Sequence, residues 1–145
     1  MNEIKYEGLK LENQLCFPLY AASREVIKKY RPYLDELGLT YTQYITMMVF
    51  WEEEKISAKE LGKRLFLDSG TLTPVLKSLE SKGFVRRYRS ADDERVLTVE
   101  ITQKGVALKA KAAFIPAALA NCIQLDPKEA MELYGLLYKV LEHSL

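Results

Sequence analysis

The sequence predicts a mostly α-helical fold in which a helix-turn-helix is followed by a two-stranded wing, with further helices at both ends of the chain. Three observations support this fold class. Apolar residues recur at helical spacing over most of the 145 residues. Two short segments with capping residues at their starts follow one another between Ser57 and Gly83. Residues alternate with a period of two on both sides of a polar turn, Ser90 to Glu94, which is a hairpin signal.

A first helix is expected to run to about Leu34, because apolar residues recur at helical spacing: Leu11, Leu15, Leu19, Ala22, Val26 and Tyr30. Pro18 interrupts this pattern, since proline has no N–H to donate to the carbonyl of Gln14 and its ring crowds that turn. The helix should therefore start late or kink next to Cys16. Gly38 closes the segment.

Thr40 and Gln43 form a capping box for a second helix, from Tyr41 to about Glu53. Little of this helix is polar, so we expect it to be buried at the centre of the fold. Its large apolar residues are Tyr44, Ile45, Met47, Met48, Val49, Phe50 and Trp51.

Ser57 and Glu60 repeat the capping box ahead of a third helix, Ala58 to Phe66, in which Leu61 and Leu65 face inward. This helix and the next one make the helix-turn-helix.

The next helix, Ser69 to Lys82, is predicted to read DNA. It starts at a cap cluster, Asp68 and Ser69, and stops before Gly83. Its apolar residues share one side: Leu72, Val75, Leu76 and Leu79. The polar residues Thr71, Thr73, Lys77 and Ser78 fall largely on the other side. Hydroxyls and a cation near a helix N-terminus suit phosphate oxygens and base edges, which indicates a recognition helix.

A basic hairpin follows this helix. Arg86, Arg87 and Arg89 precede the polar turn, and Arg95 follows it and leads into an apolar strand. A small hairpin with arginines at its base and tip can follow a DNA backbone or enter a minor groove. We therefore expect Arg86 and Arg95 to contact DNA.

The C-terminal part is expected to contain two helices. Thr102 caps a long one that runs up to Pro116, where a kink or an end is expected, and Cys122 follows in a less regular stretch. Asp126 caps the last helix, with Pro127 at its first position and Glu129 completing a capping box.

The first and last helices carry more apolar surface than a winged helix of this size needs, which indicates a partner subunit. We expect one domain, residues 1–145, with dimerisation helices at about 9–37 and 102–145 around a DNA-binding core at about 40–101. A homodimer would place two recognition helices about 34 Å apart on double-stranded DNA and predicts a palindromic operator.

The net charge is only +1, but it is unevenly distributed. From Lys59 to Arg95 there are nine Lys or Arg and six Asp or Glu, net +3, whereas the rest of the chain is net −2. The positive charge is therefore concentrated in the proposed DNA-reading part.

Composition also predicts a cytoplasmic protein without a membrane partner. The N-terminus is unlike a signal peptide, and no apolar run approaches the roughly 20 residues of a membrane span. The single histidine, His143, has no soft ligand near it in sequence, so no metal site is expected. No cofactor is expected either, because no Gly-rich phosphate loop is present.

Several long motifs carry a resemblance. The stretch from Leu61 to Phe66, DSGTLTPVLKSLESKGFV and the later DDER resemble the MarR winged-helix regulators over almost the whole chain. KLENQLCFPLYAASRE (10–25) and LTYTQY (39–44) are similar to the organic hydroperoxide resistance repressors within that family.

This resemblance implies a dimeric repressor whose Cys16 senses organic hydroperoxides and whose thiolate is held by Tyr30 and Tyr41 of the opposite subunit. It also implies DNA contacts from the recognition helix and the wing, at Ser69, Thr71, Thr73, Lys77, Asp93 and Arg95.

The chemistry of sulfur agrees with this implication. A thiol reacts with a peroxide as the thiolate, which hydrogen-bond donors such as tyrosine hydroxyls stabilise. An apolar surround would favour a hydroperoxide with a hydrophobic substituent. We expect the following residues to form this surround: Leu15, Phe17, Leu19, Met47 and Trp51. Oxidation to sulfenic acid removes the charge and weakens bonds worth about 1.5 to 3 kcal/mol each.

The role of Cys122 is left open by the sequence. The resembling family contains one-cysteine members and two-cysteine members, whose second cysteine forms an intersubunit disulfide, and Cys122 occupies a comparable position. It therefore either forms a disulfide with Cys16 of the other subunit or is an inert core residue.

Three other functions remain possible from the sequence. The first is a regulator of the same fold controlled by a small aromatic ligand bound between the helix pairs. The second is a thiol peroxidase with Cys16 as its peroxidatic residue, although no nearby arginine and threonine form a peroxide pocket. The third is a winged helix that contacts protein, which predicts no steep salt dependence of binding to duplex DNA.

Overall fold

The computed structural model describes residues 5–143. Two short 3₁₀ turns, Glu7–Leu9 and Leu11–Asn13, precede the regular elements. The helices are α1 Cys16–Leu37, α2 Tyr41–Glu52, α3 Ala58–Leu65, α4 Ser69–Ser81, α5 Gln103–Ala112, α6 Ile115–Ala118 and α7 Pro127–Glu142. The strands are β1 Lys55–Ser57, β2 Val85–Arg89 and β3 Leu97–Ile101. They form one antiparallel sheet in the order β1-β3-β2, which together with α3 and α4 makes a winged helix-turn-helix.

Helix α1 starts late, at Cys16, as one of the two predicted outcomes for Pro18. Pro18 is the third residue of the helix, where a backbone N–H has no intrahelical acceptor and its loss costs little. The helix continues through Pro32 and ends at Leu37, three residues beyond the predicted end. Gly38 then adopts a left-handed conformation, φ 67°, and its N–H donates to carbonyls of the last turn.

Helix α2 is the buried central helix that the sequence predicted. The capping box at its start is complete, because the Gln43 N–H donates to Thr40 Oγ1 (3.2 Å) and the Thr40 N–H donates to Gln43 Oε1 (3.1 Å). Met47 and Phe50 are at most 1 % exposed. The helix therefore forms the inner wall against which α3, α4 and α5 pack.

The sheet contains one strand more than the sequence predicted. The wing hairpin of β2 and β3 is present, but β1 was missed, and it pairs with β3 so that Ile56 lies opposite Val99. Three residues are too few for a periodic pattern to be recognised. This extra strand attaches the base of the wing to the start of α3.

The helix-turn-helix has capped ends. Ser57 Oγ accepts the Glu60 N–H at the start of α3 (3.1 Å), which is half of the predicted capping box. Asp68 accepts the Thr71 N–H at the start of α4 (2.7 Å). The core side of α4 is as predicted, with Leu72, Leu76 and Leu79 buried.

The C-terminal helices differ in one respect from the prediction. Helix α5 ends at Ala112, four residues before Pro116, and Pro116 lies in the first turn of the separate helix α6. Helix α7 begins with the predicted capping box of Asp126 and Glu129. No residue of α7 is buried within the described chain. Its exposed side chains include Met131, Tyr134 and Leu136, so a large apolar surface faces outward.

None of the helices within residues 5–143 combines the length and the apolar character needed to cross a membrane.

Candidate redox sensor and nucleic-acid interface

The outer face of α4 carries most of the polar residues predicted to contact DNA. Ser69, Thr71, Thr73 and Lys77 are all exposed, on the side opposite the buried leucines. The Thr73 hydroxyl donates to the Ser69 carbonyl (2.7 Å), which leaves its oxygen available as an acceptor. The prediction that Ser78 shares this free face is wrong, because Ser78 is half-buried and its Oγ accepts a hydrogen bond from Gln43 Nε2 (2.9 Å).

Two arginines at the base of the wing have different surroundings. Arg87 is only 22 % exposed, and its guanidinium and backbone N–H both donate to Glu80 of α4. These bonds lower the pKa of Glu80, the backbone one most, and they hold the hairpin against the recognition helix. Arg86 pairs with Glu100 across the hairpin (2.6 Å), lies over the Tyr88 ring and keeps an exposed side chain.

The tip of the wing presents Arg95. Its side chain is 91 % exposed and its Nε donates to Asp93 Oδ1 (3.1 Å). The Arg95 side chain lowers the pKa of Asp93, and the Arg95 backbone N–H donates to the same carboxylate (3.0 Å). Asp93 therefore fixes the turn and the direction of Arg95, whose remaining guanidinium donors are free to meet a phosphate or a base.

A cleft of about 600 Å³ separates the helix-turn-helix from the wing. Its walls are mainly apolar and include Phe66, Leu72, Val96 and Leu97, with Arg95 among its lining residues. Phe66 ends α3 in a left-handed conformation, φ 55°, which is unusual for a bulky residue.

Cys16 is exposed at the first position of α1. Leu15, Phe17 and Leu19 are exposed around it in sequence, which leaves an apolar surface next to the thiol. The prediction that Met47 contributes to this surround is wrong, because Met47 is completely buried. Trp51 is half-buried, donates its indole N–H to the carbonyl of Gly105 (3.0 Å) and packs against Tyr44 at 6.4 Å, so its part in the surround stays a prediction.

Tyr30 of α1 and Tyr41 of α2 lie side by side, with ring centroids 5.0 Å apart and the rings at 64°. Tyr44, one turn further along α2, packs against both at 6.0 and 6.2 Å. Burial is the main cause that raises the pKa of Tyr30 and of Tyr41. Both phenols are therefore neutral near pH 7 and are hydrogen-bond donors. Within residues 5–143 neither hydroxyl has a hydrogen-bond partner.

Cys122 lies against the same tyrosines. It is half-buried and packs on the core, and its electrostatic interaction with Tyr30 and Tyr41 further raises the pKa of both phenols. Lys29, the residue before Tyr30, donates to the Cys122 carbonyl. The fold therefore brings together one cysteine and two tyrosines from three separate segments.

Cys16 is not part of this cluster in the same chain. Cys16 and Tyr30 are both in α1, fourteen positions apart, which corresponds to roughly 21 Å along a helix. A side chain cannot bridge that separation, so Cys16 cannot reach the tyrosines of its own chain.

Sequence reasoning missed two members of the site. Tyr44 follows Tyr41 by three residues, so helical spacing could have placed it on the same face. Lys29 carries no such signal, because its contact with Cys122 spans 93 residues. No group of three metal-ligating side chains occurs in the part of the chain that the structure describes.

Known proteins share this architecture. The family profile described as transcriptional regulator SarA/Rot matches residues 25–112. The organic hydroperoxide resistance transcriptional regulator of Bacillus subtilis is 45 % identical over 97 % of this chain and 95 % of its own length. The HTH-type transcriptional regulator SarZ of Staphylococcus saprophyticus is 50 % identical over 85 % of this chain and 84 % of its own.

Solved structures agree. Reduced AbfR bound to DNA has a TM-score of 0.78 and 34 % identity over 97 % of both chains, and AbfR is a protein of Staphylococcus epidermidis. A MarR variant of E. coli in complex with operator DNA has a TM-score of 0.78 and 28 % identity over 88 % of this chain and 93 % of its own. Overoxidised and disulfide forms of AbfR are also among the similar structures.

The fold and these similarities define the class: the chain belongs to the MarR and SarA/Rot family of winged-helix transcriptional regulators. Within that family, its resemblance to the organic hydroperoxide resistance regulators is confirmed.

Proposed function

We propose that this protein is a cytoplasmic, homodimeric repressor that binds a palindromic operator in double-stranded DNA and releases it when an organic hydroperoxide oxidises Cys16. The Bacillus subtilis relative is named for organic hydroperoxide resistance, and AbfR has been solved in reduced, overoxidised and disulfide forms. The protein would act as a stoichiometric sensor rather than an enzyme.

The observation that carries the proposal is the separation of Cys16 from a tyrosine pair whose hydroxyls have no hydrogen-bond partner within residues 5–143. Tyr30 and Tyr41 offer two neutral hydroxyls within one small volume, while Cys16 is exposed at the far end of α1. In a dimer that pairs the two chains head to tail along α1, Cys16 of one subunit would meet the tyrosines of the other. The exposed apolar residues of α7 and of the start of α1 supply surface for such a dimer.

Two chemical steps follow from this arrangement. The Cys16 thiolate attacks the outer, hydrogen-bearing oxygen of the hydroperoxide, the O–O bond breaks, and the alkoxide leaves and takes a proton from solvent to become an alcohol, so that Cys16 becomes a sulfenic acid. The Cys122 sulfur of the other subunit then attacks the Cys16 sulfur as a thiolate, an S–S bond forms, the S–O bond breaks, and the hydroxide takes a proton from solvent and leaves as water. Cys122 lies beside Tyr30 and Tyr41, where the incoming Cys16 would be held.

The hydrogen-bond free energy lost when Cys16 is oxidised is of the right size for a switch. A hydrogen bond to a charged acceptor is worth about 1.5 to 3 kcal/mol, so two phenols together supply about 3 to 6 kcal/mol that weakens when the sulfur loses its charge. Moving a two-state protein from 1:99 to 99:1 takes about 5.5 kcal/mol. The tyrosines therefore account for most of the switch, and the disulfide supplies the remainder.

DNA binding is assigned to the exposed face of α4 and to the wing. Ser69, Thr71, Thr73 and Lys77 would approach the major groove, and Arg86, Asp93 and Arg95 would approach the backbone or minor groove. Reduced AbfR and the E. coli MarR variant have been solved on DNA, which supports this assignment.

Fluorescence anisotropy on the labelled duplex upstream of the protein's own gene tests the proposal. The reduced wild type should bind and lose at least about tenfold in affinity after cumene hydroperoxide. Cys16→Ser should bind and stay bound. Release of DNA by oxidised Cys16→Ser would overturn the proposal.

A second candidate function rests on the cleft beside Phe66. Its volume of about 600 Å³ suits a small aromatic ligand with an anionic group near Arg95. Such a regulator would release DNA in the presence of an aromatic carboxylate whether or not Cys16 is present, so the same Cys16→Ser protein separates the two functions.

A further inference from the structure

We infer that three residues, Gln43, Ser78 and Lys82, act as a polar joint that positions the recognition helix relative to the sensor tyrosines and carries the oxidation signal between them. The inference rests on the proposed function and names the regulation of that same site. None of the three residues touches the thiol or is assigned to DNA.

Gln43 is the centre of the joint. It is one of two buried polar side chains within residues 5–143, and it is 7 % exposed. Its Nε2 donates to Ser78 Oγ in α4 (2.9 Å), and its Oε1 accepts from the Thr40 N–H (3.1 Å) and from Lys82 Nζ (2.8 Å). A buried amide is costly unless it is satisfied, so these bonds fix its orientation.

Lys82 extends the joint to α1. Its ammonium also donates to the carbonyl of Gly38, the residue that ends α1. The end of α1, the start of α2 and the C-terminal part of α4 therefore meet at one hydrogen-bonded point. Tyr30 is carried by α1, and Tyr41 is the first residue of α2, two positions before Gln43.

The joint therefore connects the helices that carry the sensor tyrosines to the DNA-reading helix through side-chain hydrogen bonds. Apolar packing between α2 and α4 also links the two, but leucine and methionine side chains can slide past one another more easily than directional hydrogen bonds can reorient. When oxidised Cys16 releases the tyrosines, the α1–α2 turn shifts and the joint moves α4 with it. Weakening the joint should leave DNA binding and thiol chemistry intact while reducing the response.

The test compares Ser78→Ala, Lys82→Met and the pair Gln43→Met with Ser78→Ala in the full-length protein. The pair removes both partners of the bond between Gln43 and Ser78 at once, so neither of them is left buried without the other. It also removes the acceptor of the Thr40 N–H, whereas Ser78→Ala and Lys82→Met keep Gln43 and test the joint with the capping box intact. Ser81→Ala is the matched control, because Ser81 is in the same helix and exposed.

Three quantities are measured in each protein. They are the operator affinity of the reduced protein, the rate at which cumene hydroperoxide converts Cys16 to a dimedone-reactive sulfenic acid, and the ratio of operator affinities before and after oxidation.

Reduced affinity should stay within about threefold of wild type and the oxidation rate should be unchanged, whereas the affinity ratio should fall by about tenfold, within the usual range of allosteric coupling. Ser81→Ala should match wild type in all three. An unchanged affinity ratio in the joint variants would overturn the inference. If wild type itself releases no DNA, or Cys16→Ser still releases it, the proposed function fails instead, and the two failures are thus distinguishable.

Discussion

The Tyr30 and Tyr41 rings pack edge to face with their centroids 5.0 Å apart. Tyr30 lies in α1 and Tyr41 in α2, and the turn at Gly38 connects these two helices. This contact places two phenol rings side by side, and neither hydroxyl has a hydrogen-bond partner in the described chain. A pair of unsatisfied donors on a half-buried surface is suited to receiving one anion from another molecule. In the proposed dimer that anion is the Cys16 thiolate of the other subunit.

Replacing either tyrosine by phenylalanine should slow the oxidation of Cys16. Each substitution removes one donor to the thiolate, worth about 1.5 kcal/mol or more, so the reaction rate with cumene hydroperoxide near pH 7 should fall by about tenfold in Tyr30→Phe and in Tyr41→Phe. Stopped-flow measurement with dimedone trapping gives the rate. Tyr88→Phe, on β2 of the wing, is the control, and equal rates in all four proteins would contradict the role assigned to the pair.

Stability should decrease at alkaline pH because of the same cluster. Burial raises the pKa of Tyr30, Tyr41 and Tyr44 above the ordinary value of 10.0. A group whose folded-state pKa is raised contributes stability that is present below its unfolded pKa and is lost as the pH rises through the folded value. The midpoint of urea unfolding should therefore fall as the pH rises above 10.0, and it should fall less steeply in a Tyr30→Phe, Tyr41→Phe double variant. The same slope in both proteins would show that other groups cause the loss.

A covalent dimer should form only when both cysteines are present. After treatment with cumene hydroperoxide, wild type should run as a dimer on a non-reducing gel, and Cys16→Ser and Cys122→Ser should run as monomers. The reason is that the disulfide proposed between Cys16 and the other subunit's Cys122 needs one sulfur from each. A dimer band that persists in Cys122→Ser would make Cys122 a core residue without a redox role.

The wing tip should contribute electrostatic affinity for DNA. Arg95 is almost fully exposed and is directed by Asp93, so Arg95→Ala should weaken binding to operator and to unrelated duplexes alike. Because each phosphate contact adds about 0.9 to the slope of log affinity against log salt, the slope should drop by about one unit. Lys128→Ala removes an equal charge from the start of α7 and should leave the slope unchanged. An unaltered slope in Arg95→Ala would remove the wing tip from the interface.

Local signals made much of the fold predictable. The cap residues of α2, α4 and α7 define their starts because capping depends on residues three positions apart, and the hairpin follows from alternation around a short turn. Strand β1 was not predictable in this way, since it is held only by pairing with the distant β3. The end of α5 at Ala112 was also not predicted, because Pro116 indicated that the helix would end or kink four residues later.

The candidate site was less accessible to sequence reasoning. Helical periodicity placed Ser78 among the outward residues, but one hydrogen bond from Gln43 turns it inward. Met47 was predicted to contribute to the apolar surround of the Cys16 thiol. It is instead completely buried in the core, because neighbouring elements cover nearly every side of α2. The clustering of Tyr30 and Tyr41 with Cys122 depends on contacts between segments far apart in the chain. The resemblance to a known family suggested the tyrosine pair in advance, but it did not place Cys122 beside that pair.

The central claim is that one sensor site is shared between two subunits, and a mixed dimer tests it most directly. One protomer carries Cys16→Ser, the other carries Tyr30→Phe and Tyr41→Phe, and both carry Cys122→Ser so that no disulfide forms. The only Cys16 then belongs to the protomer without the tyrosines. If the site is shared, that thiol lies on the intact tyrosines of its partner and should form dimedone-reactive sulfenic acid at the rate of the Cys122→Ser homodimer. A rate as slow as that of the homodimer lacking both tyrosines would contradict the claim.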